Sequence, residues 1–176
     1  QVFRPADTTE TLECWDLALE SSNSPSIIAL TRQKLNPVRK EFVKENKCSK
    51  GAYEILRNNK TIELTIFATG SEVNLAIDVS HKLATQNIYS KVVSVPCKEL
   101  FEKQTNEYKR KILDETKFKI SIEAATTNNW KKFVGEKGLS FGIDNFGKSA
   151  PYKDIYNFFG LTVDNIFKKV KRLVNI

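Results

Sequence analysis

The chain has 176 residues, room for one domain plus a piece of another, and its 40% apolar content supports a sizeable core. A formal charge of +7 comes from 28 basic and 21 acidic residues mixed together, as in CKELFEKQTNEYKRKILDETK. That scatter argues against a nucleic-acid surface, where basic residues cluster and aromatics interleave, though it suits a modest pull on small anionic substrates. No apolar run nears the ~18 residues of a membrane helix, and the opening QVFRPADTTE lacks the apolar segment of a secretory signal. The chain starts at Gln1 and holds no methionine, so a natural start further upstream is expected.

Residues 8–20, TTETLECWDLALE, place Leu12, Trp15, Ala18 and Leu19 on one helical face, the amphipathic pattern of a packed helix. Thr8, Glu10 and Thr11 supply weak start signals. A turn over residues 21–25 leads into a strand over 26–31. Its run Ile27, Ile28, Ala29, Leu30 reads as the middle of a strand buried on both faces, yet it ends in Thr31, Arg32 and Gln33. In parallel sheets the carboxyl end of a strand is where ligands bind. Arg32 is therefore either a solvated strand terminus or an anion clamp, and the residues alone leave both open. This first third is the tail of an α/β unit too small to fold by itself. Residues 34–48, with Pro37 and a run of charges, are an exposed connector and mark the domain boundary.

Beyond the connector the chain alternates. Strands are predicted over 51–56, 62–69, 90–97, 118–124 and 139–144. Helices are predicted over 71–85, 104–115, 127–135, 151–160 and 162–174. Such alternation predicts a three-layer α/β/α domain over 49–176 with a five-stranded, mostly parallel sheet, preceded by a helix–strand remnant of a second α/β domain. In the last helix Ile166, Phe167, Val170, Leu173 and Val174 form one apolar stripe. Lys168, Lys169, Lys171 and Arg172 take the other side, as on a surface helix with cations near its C-terminus.

Several segments invite a chemical reading. ATGSEV, residues 68–73, joins a strand to a helix: Gly70 permits a tight turn, Thr69 and Glu72 have capping-box spacing, and Ser71 is a second cap candidate. A helix N-terminus there can bind anions, but one glycine is not a phosphate fingerprint, and a structural turn is the preferred reading. FGIDNFGKSAP, residues 141–151, holds two glycines without a nucleophile or base, so it reads as a structural loop. Within it Ser149 ahead of Ala150 and Pro151 marks a helix start, with proline in the first turn. Glu123, a carboxylate at a sheet edge, is a weaker candidate. Cys14, Cys48 and Cys97 are odd in number, far apart and without metal spacing, as expected of free thiols in a reducing compartment. His81, the only histidine, is expected on a helix surface, which leaves a histidine triad or zinc site within this chain without support.

RPAD (4–7), PSIIALTRQ (25–33), KGAY (50–53), FATGSEV (67–73), FGIDNFGKSAP (141–151) and FFGLTVDNI (158–166) occur in an order and spacing that resembles transketolases over essentially the whole chain. The resemblance implies the carboxyl-terminal portion of such an enzyme. Residues 1–33 would be the end of the pyrimidine-binding domain, 34–48 a linker, and 49–176 the C-terminal domain. It implies an activity that transfers a two-carbon ketol unit between ketose and aldose phosphates in the pentose phosphate pathway. It also implies thiamine diphosphate with Mg2+ or Ca2+ as cofactors of the full-length enzyme, and a cytoplasmic homodimer. Catalytic residues and the cofactor and metal ligands would lie upstream, so the piece alone should bind no cofactor and be inactive. One family residue maps onto this chain: the arginine of the SRQ-type motif, which binds the substrate phosphate, corresponds to Arg32, with Thr31 in the place of the usual serine. The resemblance leaves TGSEV and FGKSAP structural. Deoxyxylulose phosphate synthase and the β subunit of a 2-oxo acid dehydrogenase share the C-terminal fold and are the enzymatic alternatives. A stand-alone regulatory or binding module is the alternative of another class.

Overall fold

A computed structural model describes residues 1–41, 43–113 and 116–174. The amino-terminal third contains strand β1 (Val2–Phe3), helix α1 (Thr8–Glu20) and strand β2 (Ile27–Ile28). α1 spans the predicted residues and is capped by the Asp7 carboxylate, which accepts from the Glu10 amide at 2.8 Å. β1, which the sequence does not announce, pairs in parallel with β2. β2 keeps only two of the six residues expected of it, and Ile27 and Leu30 are exposed rather than buried on both faces. The reason is local: among the described residues β2 pairs with β1 alone, and an isolated two-stranded sheet neither extends a strand nor covers its faces. The predicted apolar face of α1 is likewise reversed. Leu12, Trp15 and Leu19 are 67%, 50% and 78% exposed, while Glu10 and Cys14 on the other side are fully buried.

A 3-10 turn (Lys47–Lys50) ends the connector. There follow β3 (Tyr53–Arg57), β4 (Leu64–Ala68), α2 (Glu72–Ala84), β5 (Ser90–Ser94), α3 (Lys98–Glu102) and α4 (Asn106–Leu113). The chain closes with β6 (Phe118–Ile122), α5 (Lys131–Val134), β7 (Leu139–Phe141), α6 (Tyr152–Phe159) and α7 (Val163–Leu173). Every predicted strand and helix of this part is present, and α3 is an addition. The last two residues predicted for α4, Asp114 and Glu115, lie outside the described residues.

The five strands form one sheet in the order β3-β5-β4-β6-β7, parallel except for β3, which runs antiparallel to β5. Side-chain alternation builds the layers. Leu64, Ile66 and Ala68 of β4 face α2 and α7, which contribute Val73, Ala76, Val79, Leu83, Ile166 and Val170. Phe67 points the other way, with Val93 and Val95, into Phe101, Trp130, Phe133 and Ile112 under α3, α4 and α5. This is the expected three-layer α/β/α architecture. In α7 the stripe behaves as read: Ile166 and Val170 are buried, with Phe167, Leu173 and Val174 at the margin.

The strand order reverses at the centre. From β4 the chain crosses to β5 on one side; from β6 it moves to β7 on the other. The carboxyl ends of β4 and β6 therefore flank the crevice in which open α/β sheets hold ligands.

Gly51 fixes the entrance to the domain. Its φ is +73°, and an added Cβ would stand 2.1 Å from the Phe101 amide nitrogen and 2.4 Å from the Cys97 carbonyl. Gly135 has nearly the same φ, +72°, with nothing within 4 Å of such a Cβ. Alanine at Gly135, whose ψ of −175° differs from the −26° of Gly51, should cost about 1–3 kcal/mol, the strain of a non-glycine residue at positive φ. Alanine at Gly51 should cost clearly more, because backbone must also move. Urea unfolding of both variants checks this; equal losses would show that the close approach carries no weight.

Candidate functional site

The switch-point crevice is occupied by the chain's own segment Phe3–Asp7. Arg4 touches the ends of all three central parallel strands. Its carbonyl accepts from the Gly70 amide after β4 at 2.9 Å, and its amide donates to the Pro96 carbonyl after β5 at 2.8 Å. Its guanidinium meets the Glu123 carboxylate after β6 at 2.5 Å. Glu123 is nearly fully buried on an inner strand, not at a lateral edge, and its second oxygen accepts from Trp130 Nε1 at 2.6 Å and Lys98 Nζ at 3.2 Å. Lys98 Nζ also lies 3.8 Å from the Trp130 ring centroid. Burial pulls the Lys98 ammonium below its ordinary pKa, and Glu123 opposes that pull.

A second carboxylate locks α1 to the sheet. Glu10 is fully buried; Tyr53 Oη and Ser94 Oγ each donate to Oε1 at 2.6 Å, and the Ala6 amide donates to Oε2 at 2.7 Å. Burial raises its carboxyl pKa; the three donors pull it back without cancelling the rise. The same joint gathers the three cysteines, distant in sequence, into one buried cluster with Phe3 and Tyr53. Burial pushes the Cys97 thiol up to about 11 and raises the Tyr53 phenol, and the neighbouring Cys14 together with burial raises Cys48, which favours the protonated form of each.

The ATGSEV turn is structural, as read, but it is not a capping box. The Thr69 hydroxyl donates to the Val95 carbonyl at 2.7 Å, and Ser71 occupies the cap position without a capping bond, its hydroxyl donating instead to Glu72 Oε1 at 2.7 Å. The Glu72 carboxylate turns away to accept from Tyr156 Oη at 2.5 Å and the Ala124 amide at 3.0 Å. The FGIDNFGKSAP loop is exposed from Asp144 onward, and α6 starts one residue after Pro151 rather than around it. His81 is exposed on α2.

Arg32 is exposed just past β2, and among the described residues it has no ion-pair partner. Thr31 Oγ1 accepts from the Gln33 amide at 3.1 Å, which turns the chain there. Beside it lies a cavity of about 230 Å3, where Thr31 and Gln33 face Pro5, Asp7, Thr8 and Thr11 at the start of α1. The structure therefore brings Glu123 and the Gly70 turn together through Arg4, and among the described residues Arg32 makes no hydrogen bond or ion pair with them. Arg4, Glu10, Tyr53, Ser94 and Lys98 were not legible as partners: Glu10 and Ser94 are 84 residues apart, Arg4 and Glu123 119. The one available hint was the RPAD motif itself.

The profile of the family described as "Transketolase-like TK C-terminal domain" matches residues 51–162. The chain is 42% identical to a transketolase of Sinorhizobium medicae over 98% of its length and 25% of that protein. It is 40% identical to a transketolase of Bacillus subtilis over 99% of its length and 26% of that protein. A crystal structure of a Pichia stipitis transketolase in complex with sedoheptulose 7-phosphate superposes with a TM-score of 0.89 at 34% identity, covering 99% of this chain and 25% of that one. The chain thus spans about a quarter of the length of the relatives it matches.

The Glu10 joint makes stability depend on pH. Its folded carboxyl holds a proton more tightly than the unfolded one, so its contribution is complete below the ordinary carboxylate range and is lost as pH rises through the raised value. Glu10→Gln removes that decline. Melting temperatures across this window should fall with pH in the wild type and level out in the variant; parallel curves would acquit Glu10.

Proposed function

The chain belongs to the transketolase family, and from that premise we propose that it works as the C-terminal portion of an enzyme that moves a two-carbon ketol unit from a ketose phosphate to an aldose phosphate. Arg32 is its substrate contact. The observation that carries this role is the placement at the carboxyl end of β2 of an exposed guanidinium with no ion-pair partner among the described residues. The planar fork gives two charge-assisted hydrogen bonds to a phosphate, which a solvated ammonium does less specifically.

In this reading residues 1–33 complete a second α/β domain whose remainder covers Leu12, Trp15, Leu19 and Ile27, residues 34–48 are the linker, and 49–176 form the C-terminal domain. The exposed apolar face of α1 supports that division. The working enzyme is a homodimer of the cytoplasm and a member of the pentose phosphate pathway; three buried free thiols suit a reducing compartment. No helix among the described residues is long and apolar enough to cross a membrane.

Thiamine diphosphate and a divalent cation serve the full-length enzyme, but the residues described here do not fit that group. The Gly70 amide is taken by the Arg4 carbonyl, and among the described residues no trio of histidine, cysteine, aspartate or glutamate is placed to hold a metal. In this reading the cofactor is held by parts of the enzyme outside this chain, and the chain alone is expected to be inactive.

A phosphate clamp far from the reacting carbonyl acts mostly as uniform binding, raising KM more than it lowers kcat when removed. A charge-assisted hydrogen bond is worth ~1.5–3 kcal/mol. In the full-length enzyme Arg32→Ala should therefore lower kcat/KM for a phosphorylated donor by roughly one to two powers of ten. Hydroxypyruvate, which has no phosphate, should be used as well as before. Equal losses on both donors would rule the clamp out.

A further inference from the structure

Among the described residues Arg32 has no side-chain anchor, and the backbone that delivers it sets its position. That backbone is traceable. The Ala29 amide, three residues before Arg32, donates to the Phe3 carbonyl at 2.8 Å, and Ile28 is paired with Phe3. Phe3 is fully buried, and its neighbour Arg4 is held by the strand ends through Gly70, Pro96 and Glu123. Bonded contacts run from Glu123 through Arg4 and Phe3 to Ala29, and the exposed residues Leu30 and Thr31 then lead to Arg32, with the turn there made by the bond from the Gln33 amide to Thr31 Oγ1.

We infer that Glu123 is a positioning residue for Arg32, acting through Arg4 and the β1–β2 pair. This rests on the phosphate-clamp reading of Arg32. Glu123 suits the task because it cannot wander: Trp130 Nε1 and Lys98 fix one oxygen, and the Trp130 ring packs on Phe133 at 5.2 Å between centroids. Arg4 is its movable partner, with a side chain about one-third exposed. Releasing that guanidinium leaves the Arg4 backbone bonds in place, so the fold persists while the pitch of β1, and with it β2, is less well defined. The crevice left beside these groups, about 200 Å3, is no rival ligand site, since both of its cations, Arg4 and Lys98, already share Glu123.

The test uses steady-state kinetics of the full-length enzyme with a phosphorylated ketose donor and with hydroxypyruvate. The variants are Glu123→Gln, Arg32→Ala and the double substitution. Glu123→Gln should raise KM for the phosphorylated donor roughly three- to tenfold, the size of effects carried through packed networks, with kcat and hydroxypyruvate turnover within about twofold of wild type. On the phosphorylated donor the double variant should be no worse than Arg32→Ala, because Glu123 has nothing left to position. Arg4→Lys, which keeps a charge on a partly exposed stem, gives the same pattern and serves if Glu123→Gln folds poorly. Loss on both donors alike in Glu123→Gln and Arg4→Lys, or additive losses in the double variant while Arg32→Ala remains selective, overturns this inference alone. An Arg32→Ala variant that affects both donors alike overturns the phosphate reading and this inference with it.

Discussion

Arg4 sits where an open α/β sheet would hold a ligand, and the rest of the molecule is arranged around that contact. Its backbone ties to the ends of β4 and β5, and its guanidinium meets Glu123 at the end of β6. The ion pair by itself is not a large source of stability. Arg4 is partly exposed, and a desolvated carboxylate repays its loss of water only through good geometry and further hydrogen bonds. Glu123 has those bonds from Trp130 and Lys98. Removing one partner is therefore expected to cost more than the pair is worth, because the carboxylate stays behind.

Glu10 repeats the arrangement one helical turn further on. Two hydroxyls of the C-terminal domain and one amide of the segment converge on a carboxylate with no access to water. Burying a charge is unfavourable, and burying a polar group without partners is too; three donors reduce that penalty without abolishing it. The joint is consequently specific rather than merely adhesive, since a shifted register of α1 would strand the carboxylate. The crevice that a nucleotide or a diphosphate would use elsewhere thus serves as a socket between two parts of one chain, which explains why the glycine turn at Gly70 looks like an anion site and holds a carbonyl.

Elements with their own internal pattern were legible in the sequence. The strand β4, the stripe of α7 and the extent of α1 were read from local apolar runs and a period of 3.6 residues. What periodicity does not carry was missed. Leu12, Trp15 and Leu19 form an apolar face that the described residues leave uncovered, so the pattern identified the helix but not the side that packs here. β2 shrank because strand length depends on neighbours as well as on residues. Glu123 drew notice only as a carboxylate ending a strand, and its partners stand 119, 25 and 7 residues away. Arg32 drew notice through the TRQ motif, and the structure places it exposed past β2; the bond from the Ala29 amide to the Phe3 carbonyl, which ties its strand to the Arg4 segment, could only be read in three dimensions.

Native-state hydrogen exchange on the 176-residue chain tests most directly whether the segment is built into the domain. The Gly70 amide, bonded to the Arg4 carbonyl, and the Arg4 amide, bonded to Pro96, report on the socket; Ile66 and Val92 in the central strands report on global opening. The socket predicts that all four exchange with nearly the same opening free energy, because Arg4 leaves only when the sheet does. Rapid exchange at Arg4 and Gly70 with Ile66 and Val92 still protected would contradict it, showing a segment that rests on the domain without being part of it.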